Sequence, residues 1–215
     1  MVRPRTFDEQ QVLHGAVAIF RERGYAGTRI PDLTDELGIC RQSLYATFGD
    51  KRGLYLRALE AWGRSDVDAK LALLRAEGSP LENVRTVIRG LAALATACPE
   101  HGSLTVAAMV ELRRDPDVMA EVERQTGRLE QGFAETLEKA QSRGELAVGL
   151  APEQLAGAFA AASCGIGLLA RLPGSSGRIA AMVSALLRLL AEPDALNHDA
   201  GAHPATPARR FEPGI

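Results

Sequence analysis

Apolar residues recur every three or four positions along most of this chain, and β-branched and aromatic residues never alternate with polar ones over a useful window. In the first such segment, Leu13, Val17 and Phe20 fall on one face of a helix. Strands need a period of two, so the spacing predicts an all-α fold. With 215 residues, 46% of them apolar, the chain is long enough to bury a substantial core.

Glycine and proline divide this pattern into about nine predicted helices, because both residues end helices readily. The breaks include the segments CPEHG, RRDP and LPGSSG. The chain after residue 191 has four prolines and no apolar periodicity, which predicts a mobile tail. The predicted helices are Gln10–Arg23, a helix capped by Thr28 and ending at Gly38, Arg41–Thr47, Lys51–Glu77, Leu81–Ala97, Ser103–Arg113, Asp117–Arg143, Pro152–Leu172 and Arg178–Leu190.

The charge and the cysteine content of the chain argue against several classes of protein. The formal net charge is −2, which argues against a generally basic nucleic-acid coat. Residues 1–64 nevertheless carry ten basic side chains against eight acidic ones, so positive charge is concentrated near the N-terminus. The three cysteines show neither disulfide nor zinc-site spacing. Without a signal-peptide core or a confident membrane span, the chain is predicted to be cytoplasmic.

Residues 28–50 predict two short helices joined by a tight turn, the helix-turn-helix geometry. Gly38 supplies the turn conformation that a larger side chain resists. Five apolar residues are spaced to face inward: Leu33, Leu37, Ile39, Leu44 and Phe48. Five polar residues of the second helix then face outward: Arg41, Gln42, Ser43, Tyr45 and Thr47.

This outward face has the chemistry of a DNA reader. A helix fits the major groove, where arginine and glutamine bind guanine and adenine edges. Hydroxyl groups suit phosphate oxygens, and a lysine at a helix start adds its charge to exposed N–H groups. Any one of these side chains could instead be merely solvated; their combination on one face favours DNA. The predicted DNA-contacting residues are Thr28, Arg29, Arg41, Gln42, Ser43, Tyr45, Thr47 and Lys51.

The segment from Tyr25 to Leu59, YAGTRIPDLTDELGICRQSLYATFGDKRGLYLRAL, resembles the DNA-binding domain of the tetracycline-repressor (TetR/AcrR) family of bacterial regulators. The motif of that family centres on a Leu-Tyr pair, then an aromatic residue and a lysine, here Leu44, Tyr45, Phe48 and Lys51. The resemblance implies a homodimeric repressor that binds a palindromic operator near its own promoter and releases it when a small molecule binds. It implies no enzyme activity, cofactor or metal.

Carried over by position, the base contacts of the family fall at Arg41, Gln42 and Thr47, and its phosphate contacts at Thr28, Tyr45 and Lys51. Cys40 departs from the pattern, because relatives commonly have serine or threonine there to cap the recognition helix and a thiol caps poorly. The predicted domains are a helix-turn-helix domain over residues 1–52, a helical ligand-binding and dimerisation domain over 53–191, and the tail over 192–215.

The larger domain offers two sets of candidate residues. The predicted ligand pocket lies among the helices from residue 51 to 143, and each candidate there has an alternative as ordinary core or surface. The candidates are Trp62, Cys98, His101, Met109, Glu111 and Phe133. Small residues at four-residue spacing in the predicted helix Pro152–Leu172 favour close helix packing in a dimer, with ordinary packing within one chain as the alternative. The dimer candidates are Gly157, Ala161, Gly165, Leu168, Met182 and Leu186.

The alternative class is a helical enzyme or an interaction module without sequence-specific DNA binding. The string GIGLLA at residues 165–170 matches a dinucleotide-binding pattern but follows no predicted strand, so it lacks the context that pattern needs. The four histidines have no metal-ligand spacing. Salt-dependent DNA binding is the property that separates a regulator from this alternative.

Overall fold

The computed structural model describes residues 7–97, 102–146 and 151–190, and within these ranges it is helical without a strand. The all-α prediction and the nine predicted helices are confirmed there, within a few residues at each end. The predicted tail lies outside the described residues. The helices are α1 (Glu9–Gly27), α2 (Ile30–Leu37), α3 (Arg41–Phe48), α4 (Lys51–Leu74), α5 (Pro80–Ala97), α6 (Leu104–Glu111), α7 (Pro116–Ser142), α8 (Pro152–Leu169) and α9 (Ser176–Leu189).

Two helices end three residues earlier than predicted. After α4 the chain tightens, and the Ala76 N–H bonds to the Leu73 carbonyl. After α8 the N–H of Leu172 bonds to the carbonyl of Leu169 in the same way. Such i to i+3 bonds satisfy the last carbonyls of a helix, so the apolar pattern continues for one turn beyond the helix itself.

Hydrogen bonds between residues close in sequence cap the starts of α2 and α4, and one of the two predicted caps is corrected. Asp50 caps α4 as predicted, because its carboxylate accepts a hydrogen bond from the Gly53 N–H at 2.7 Å. The predicted cap of α2 is wrong. Arg29 holds that position, with its N–H and guanidinium bonded to Asp32. Thr28 turns back instead, and its hydroxyl donates to the Gly24 carbonyl at 2.6 Å.

The helices enclose two apolar cores. The N-terminal core joins α1, α2, α3 and the first half of α4 to α6 and the start of α7. It contains Phe20 and Tyr55, whose rings meet edge to face at 4.9 Å. The C-terminal core joins the second half of α4 to α5, α7, α8 and α9. Helices α4 and α7 contribute to both cores. Helix α4 is continuous and connects the helix-turn-helix to the larger helical body, which is formed by α5 to α9.

Candidate nucleic-acid interface and internal cavity

Two buried side chains determine which face of α3 points outward. Leu44 and Phe48, four residues apart, are 0% and 7% exposed and belong to the N-terminal core. Leu33 and Ile39 are buried as predicted, and Leu37 is half-buried. This anchoring leaves Arg41, Gln42 and Tyr45 exposed, with Ser43 and Thr47 half-buried beside them. The predicted faces are therefore confirmed for the buried and the exposed residues, whereas the half-buried Leu37, Ser43 and Thr47 lie at the boundary between them.

Arg41 and Tyr45 form a pair on the exposed face of α3. The guanidinium of Arg41 donates to the Tyr45 hydroxyl at 3.3 Å, and its carbon lies 5.6 Å from the centre of the ring. Residues four apart on a helix are neighbours, so the pair forms without distorting α3. Tyr45 stays 39% exposed, with its ring standing off the domain beside a cation.

Lys51 is the first residue of α4, as predicted, and its side chain is directed to backbone carbonyls. Its ammonium donates to the carbonyl oxygens of Tyr25 and Thr28, at 2.9 and 3.0 Å, and lies 4.1 Å from the centre of the Tyr25 ring. Those carbonyls belong to the corner between α1 and α2. Lys51 therefore fastens the start of α4 to that corner and fixes the orientation of the helix-turn-helix relative to α4.

The remaining predicted contacts differ in accessibility. The Arg29 side chain is 79% exposed and paired with Asp32. Thr28 is 1% exposed and its hydroxyl is already bonded, so the structure does not bring it to the outward face. Cys40 is exposed at the start of α3 and makes no side-chain capping bond, as predicted for a thiol. Its sulfur lies 3.2 Å from the Ser43 hydroxyl, a contact that lowers the pKa of the thiol.

Polar contacts connect the helix-turn-helix to the larger body. The guanidinium of Arg52, at the start of α4, donates to Asp115 at 2.5 and 2.7 Å and to Asp117 at 2.6 Å. Glu111, at the end of α6, accepts a hydrogen bond from the Ala26 N–H at 3.0 Å. Glu111 was predicted as a ligand contact, but it does not line the cavity described below and is bonded to the last turn of α1.

A cavity of about 460 Å³ lies between the two cores. Six helices form its wall, and the wall is mostly apolar. Its charged members are Arg21, Asp66 and Lys70, and a cysteine, Cys164, also lines it. Burial raises the pKa of the Cys164 thiol, which keeps it protonated and poorly reactive near neutral pH. The apolar part of the wall comprises Ala18, Trp62, Val67, Leu91, Leu94, Val106, Leu129, Ile166 and Ala170.

Of the predicted ligand contacts, Trp62 lines this cavity. Met109 packs against the N-terminal core and Phe133 is fully buried against Phe159, so neither lines it. Cys98 and His101 lie outside the described residues. The sequence interpretation missed Arg21, Asp66, Lys70 and Cys164. One available signal was the four-residue spacing of Trp62, Asp66 and Lys70, which puts them on one face of α4.

Arg21 brings α1 into the wall of the cavity. Its guanidinium carbon lies 4.3 Å from the centre of the Trp62 ring, and its Nε donates to the Gly102 carbonyl at 2.9 Å. The Arg21 carbonyl in turn accepts a hydrogen bond from Arg171. One residue of α1 thus contacts α4, the segment before α6 and the end of α8, all around the cavity.

The outer face of α8 is apolar and partly uncovered. Leu168 is 51% exposed, Ala161 is exposed, and Gly157 and Gly165 are half-buried. A methyl group placed at Gly165 would make an ordinary van der Waals contact with Met182 of α9, so this glycine faces α9 within the chain. Met182 and Leu186 are half-buried against the C-terminal core.

The described residues also bear on metal binding and on membrane insertion. No group of three or more histidine, cysteine, aspartate or glutamate side chains is placed there to hold a metal ion. None of the helices in the described ranges combines the length and apolar character needed to cross a bilayer.

Comparisons with known proteins agree along most of the chain. Residues 12–58 match the family described as "Bacterial regulatory proteins, tetR family", and residues 80–186 match "Tetracyclin repressor-like, C-terminal domain". The chain is 38% identical over 150 residues to the uncharacterized HTH-type transcriptional regulator YezE of Bacillus subtilis (strain 168), covering 68% of this chain and 76% of YezE. A 60-residue match, 40% identical, joins it to the repressor BdcR of Escherichia coli (strain K12), covering 28% of this chain and 30% of BdcR.

Solved structures with a similar fold also include TetR family regulators. A cysteine mutant of the TetR family transcriptional regulator CifR, complexed with 26-base-pair operator DNA, is 30% identical with a TM-score of 0.76, covering 86% of this chain and 98% of CifR. A TetR family regulator from Agrobacterium tumefaciens shares the fold at 21% identity and a TM-score of 0.74, over 83% of this chain and 94% of that one. The chain is therefore a transcriptional regulator of the TetR family.

Proposed function

We propose that this regulator binds a palindromic operator with α3 in the major groove. The observation that carries the proposal is the outward face of α3, where Arg41, Gln42 and Tyr45 are exposed while Leu44 and Phe48 anchor the helix. Arg41 and Gln42 are assigned to base edges, and Tyr45, Ser43 and Thr47 to phosphates or neighbouring bases. The relationship to CifR, which was solved on operator DNA, supports the same use of α3.

The proposed roles of the remaining residues follow from their contacts. Arg29 is exposed at the start of α2 and is assigned to phosphate. Lys51 is a positioning residue, because its ammonium holds the Tyr25 and Thr28 carbonyls. Its third N–H can still reach a phosphate. Thr28 contributes through the α1–α2 corner that it stabilises rather than through its buried hydroxyl.

The proposed assembly is a homodimer formed through α8 and α9. The support is the apolar outer face of α8, including Leu168, which would otherwise remain in water. Gly157, Ala161 and Gly165 allow a second helix to approach closely. Two copies of α3 set about one DNA turn, roughly 34 Å, apart would then meet both halves of a palindrome.

The proposed signal is a small molecule in the cavity. Ala18 and Arg21 of α1 line it together with α4, so an occupant touches the helix that leads into the helix-turn-helix and the helix that begins at Lys51. An occupant that fits better when these helices are displaced shifts the population toward the form whose α3 helices no longer match the groove. By analogy with the family, we propose that the protein is a repressor that releases DNA when the small molecule binds. We propose no catalytic step, and we place its action in the cytoplasm, where chromosomal DNA lies.

The test is fluorescence anisotropy of the full-length protein on DNA from immediately upstream of its own gene, at two salt concentrations. Tight, salt-sensitive binding is expected, and Arg41→Ala should weaken it by about tenfold or more. Arg75→Ala is the matched control, since Arg75 is exposed and pairs with Glu135 in the larger body. Equal binding of a scrambled duplex by the parent protein, without salt dependence, would overturn the proposal.

A further inference from the structure

Three residues of α4 form a line along the cavity. Trp62, Asp66 and Lys70 follow one another at four-residue spacing and all line the cavity wall. At a rise of 1.5 Å per residue they span about 12 Å along one face of the helix. The end at Trp62 is covered by Arg21 of α1. The charged pair therefore marks the end of the line farther from the helix-turn-helix.

The charged pair is half-buried and incompletely used. The Lys70 ammonium donates to the Asp66 carboxylate at 2.5 Å, and the two side chains are 16% and 21% exposed. An ammonium has three N–H groups, and Asp66 is the hydrogen-bond partner of Lys70 among the described residues. The carboxylate likewise has lone pairs beyond the one that Lys70 uses. The pair thus offers a donor and an acceptor side by side at the cavity wall.

The charge balance of the pair selects the kind of group that can bind it. A carboxylate would face Asp66 and an ammonium would face Lys70, each at a half-buried site where water screens the repulsion between like charges less than at the surface. A hydroxyl group avoids both repulsions, because its oxygen accepts from Lys70 while its hydrogen is donated to Asp66. Arg21, the third charged member of the wall, lies at the Trp62 end against that ring and bonds to the Gly102 carbonyl, and the rest of the wall is mostly apolar, including Val67, Leu129 and Ile166.

From this geometry we propose that the cavity binds an uncharged, mainly apolar molecule that carries a hydroxyl group, and that Lys70 and Asp66 hold that hydroxyl. The apolar body lies along α4 between the charged pair and the Trp62 end. The assignment of this molecule as the effector rests on the proposed function; its binding to the cavity does not. Specificity comes from the pair, because the rest of the wall distinguishes apolar bodies mainly by size.

A matched series of two-ring probes tests the proposal by isothermal titration calorimetry on the full-length protein. The probes are naphthalene, 2-naphthol, 2-naphthoate and naphthalen-2-ylmethylammonium, which share a body and differ in the polar group. We expect 2-naphthol to bind about tenfold or more tightly than naphthalene, as hydrogen bonds to charged groups provide. The two charged probes should bind more weakly than 2-naphthol.

Two variants locate the effect. Lys70→Met and Asp66→Asn should each reduce the preference for 2-naphthol over naphthalene, whereas Asp68→Asn should leave it intact. Asp68 is the matched control, two residues along α4, exposed and paired with Arg128. Circular dichroism of each variant confirms that it is folded, and the four-probe series on the parent protein needs no variant at all.

Equal affinity for naphthalene and 2-naphthol, or tighter binding of 2-naphthoate, would overturn the proposal, as would a preference that survives Lys70→Met. The result is separable from the proposed function. Failure of the parent protein to bind its promoter DNA counts against the regulator mechanism, whereas the probe affinities are measured without DNA and decide the ligand class alone.

Discussion

The outward face of α3 and the cavity, the two proposed recognition surfaces, are formed in opposite ways. The face of α3 comes from one eight-residue helix whose orientation is set by Leu44 and Phe48. The cavity takes its lining from six helices, and neighbouring lining residues such as Arg21 and Trp62 are far apart in sequence. A surface on one helix follows from the helical period, whereas a cavity depends on how helices pack together.

Truncating the anchor of α3 should have the largest effect. Leu44→Ala removes a side chain that is 0% exposed, and we expect it to lower the free energy of unfolding by about 2–5 kcal/mol. Urea denaturation followed by circular dichroism measures this. The neighbouring exposed change Tyr45→Ala is the control and should alter stability little. Similar losses from the two changes would contradict the assignment of inward and outward faces.

Lys51→Met should have the next largest effect. It removes charged hydrogen bonds to the Tyr25 and Thr28 carbonyls, and we expect a loss of about 1.5–3 kcal/mol in the free energy of unfolding. Lys139→Met, at an exposed position near the end of α7, is the matched control and should be close to neutral. If Lys51→Met weakened DNA binding without changing stability, Lys51 would act by direct phosphate contact instead of by positioning.

Leu44 and Lys51 show which features of the structure the sequence can predict and which it cannot. The helical period and the motif predicted the faces of α3, and the capping role of Asp50 followed from its place before Lys51. The cap predicted at Thr28 was wrong and the contacts of the Lys51 ammonium were not foreseen, because both side chains bond to backbone carbonyls and no sequence pattern specifies that three-dimensional contact. In the larger body the helices were predicted correctly and Trp62 lines the cavity as predicted, but Glu111, Met109 and Phe133 pack elsewhere.

Adding a single methyl group beside the cavity tests how closely α4 and α7 pack together. At Gly63 in α4, an added methyl group would overlap the buried Gln125 side chain. Gln125 bonds to the Leu59 carbonyl and accepts from Thr105, so it has little freedom to move. We expect Gly63→Ala to cost about 1–3 kcal/mol, measured by thermal unfolding.

Gly127→Ala is the control for that change, because Gly127 lies in α7 with no atom near an added methyl group. Alanine favours a helix interior over glycine by about 0.8–1.0 kcal/mol, so this variant should be neutral or more stable. Equal effects at the two glycines would mean that α4 and α7 do not approach as closely beside Gln125 as described.

The smallest expected effect is a gain. Cys40→Ser places a hydroxyl at the start of α3, where the thiol makes no side-chain capping bond. We expect a stabilisation of about 0.5–1 kcal/mol by urea denaturation, because serine is a favoured N-cap residue. Cys164→Ser, at the cavity wall, should give no such gain. No change at Cys40 would indicate that the start of α3 is already fully satisfied.

Selection from a pool of randomised duplexes by the full-length protein and by Gln42→Ala tests most directly the proposal that the outward face of α3 reads DNA sequence. We expect the parent protein to enrich a two-part palindrome, and the variant to relax its preference at the same base pair in each half. Enrichment of no sequence by the parent protein, or an identical preference in the variant, would contradict the proposal.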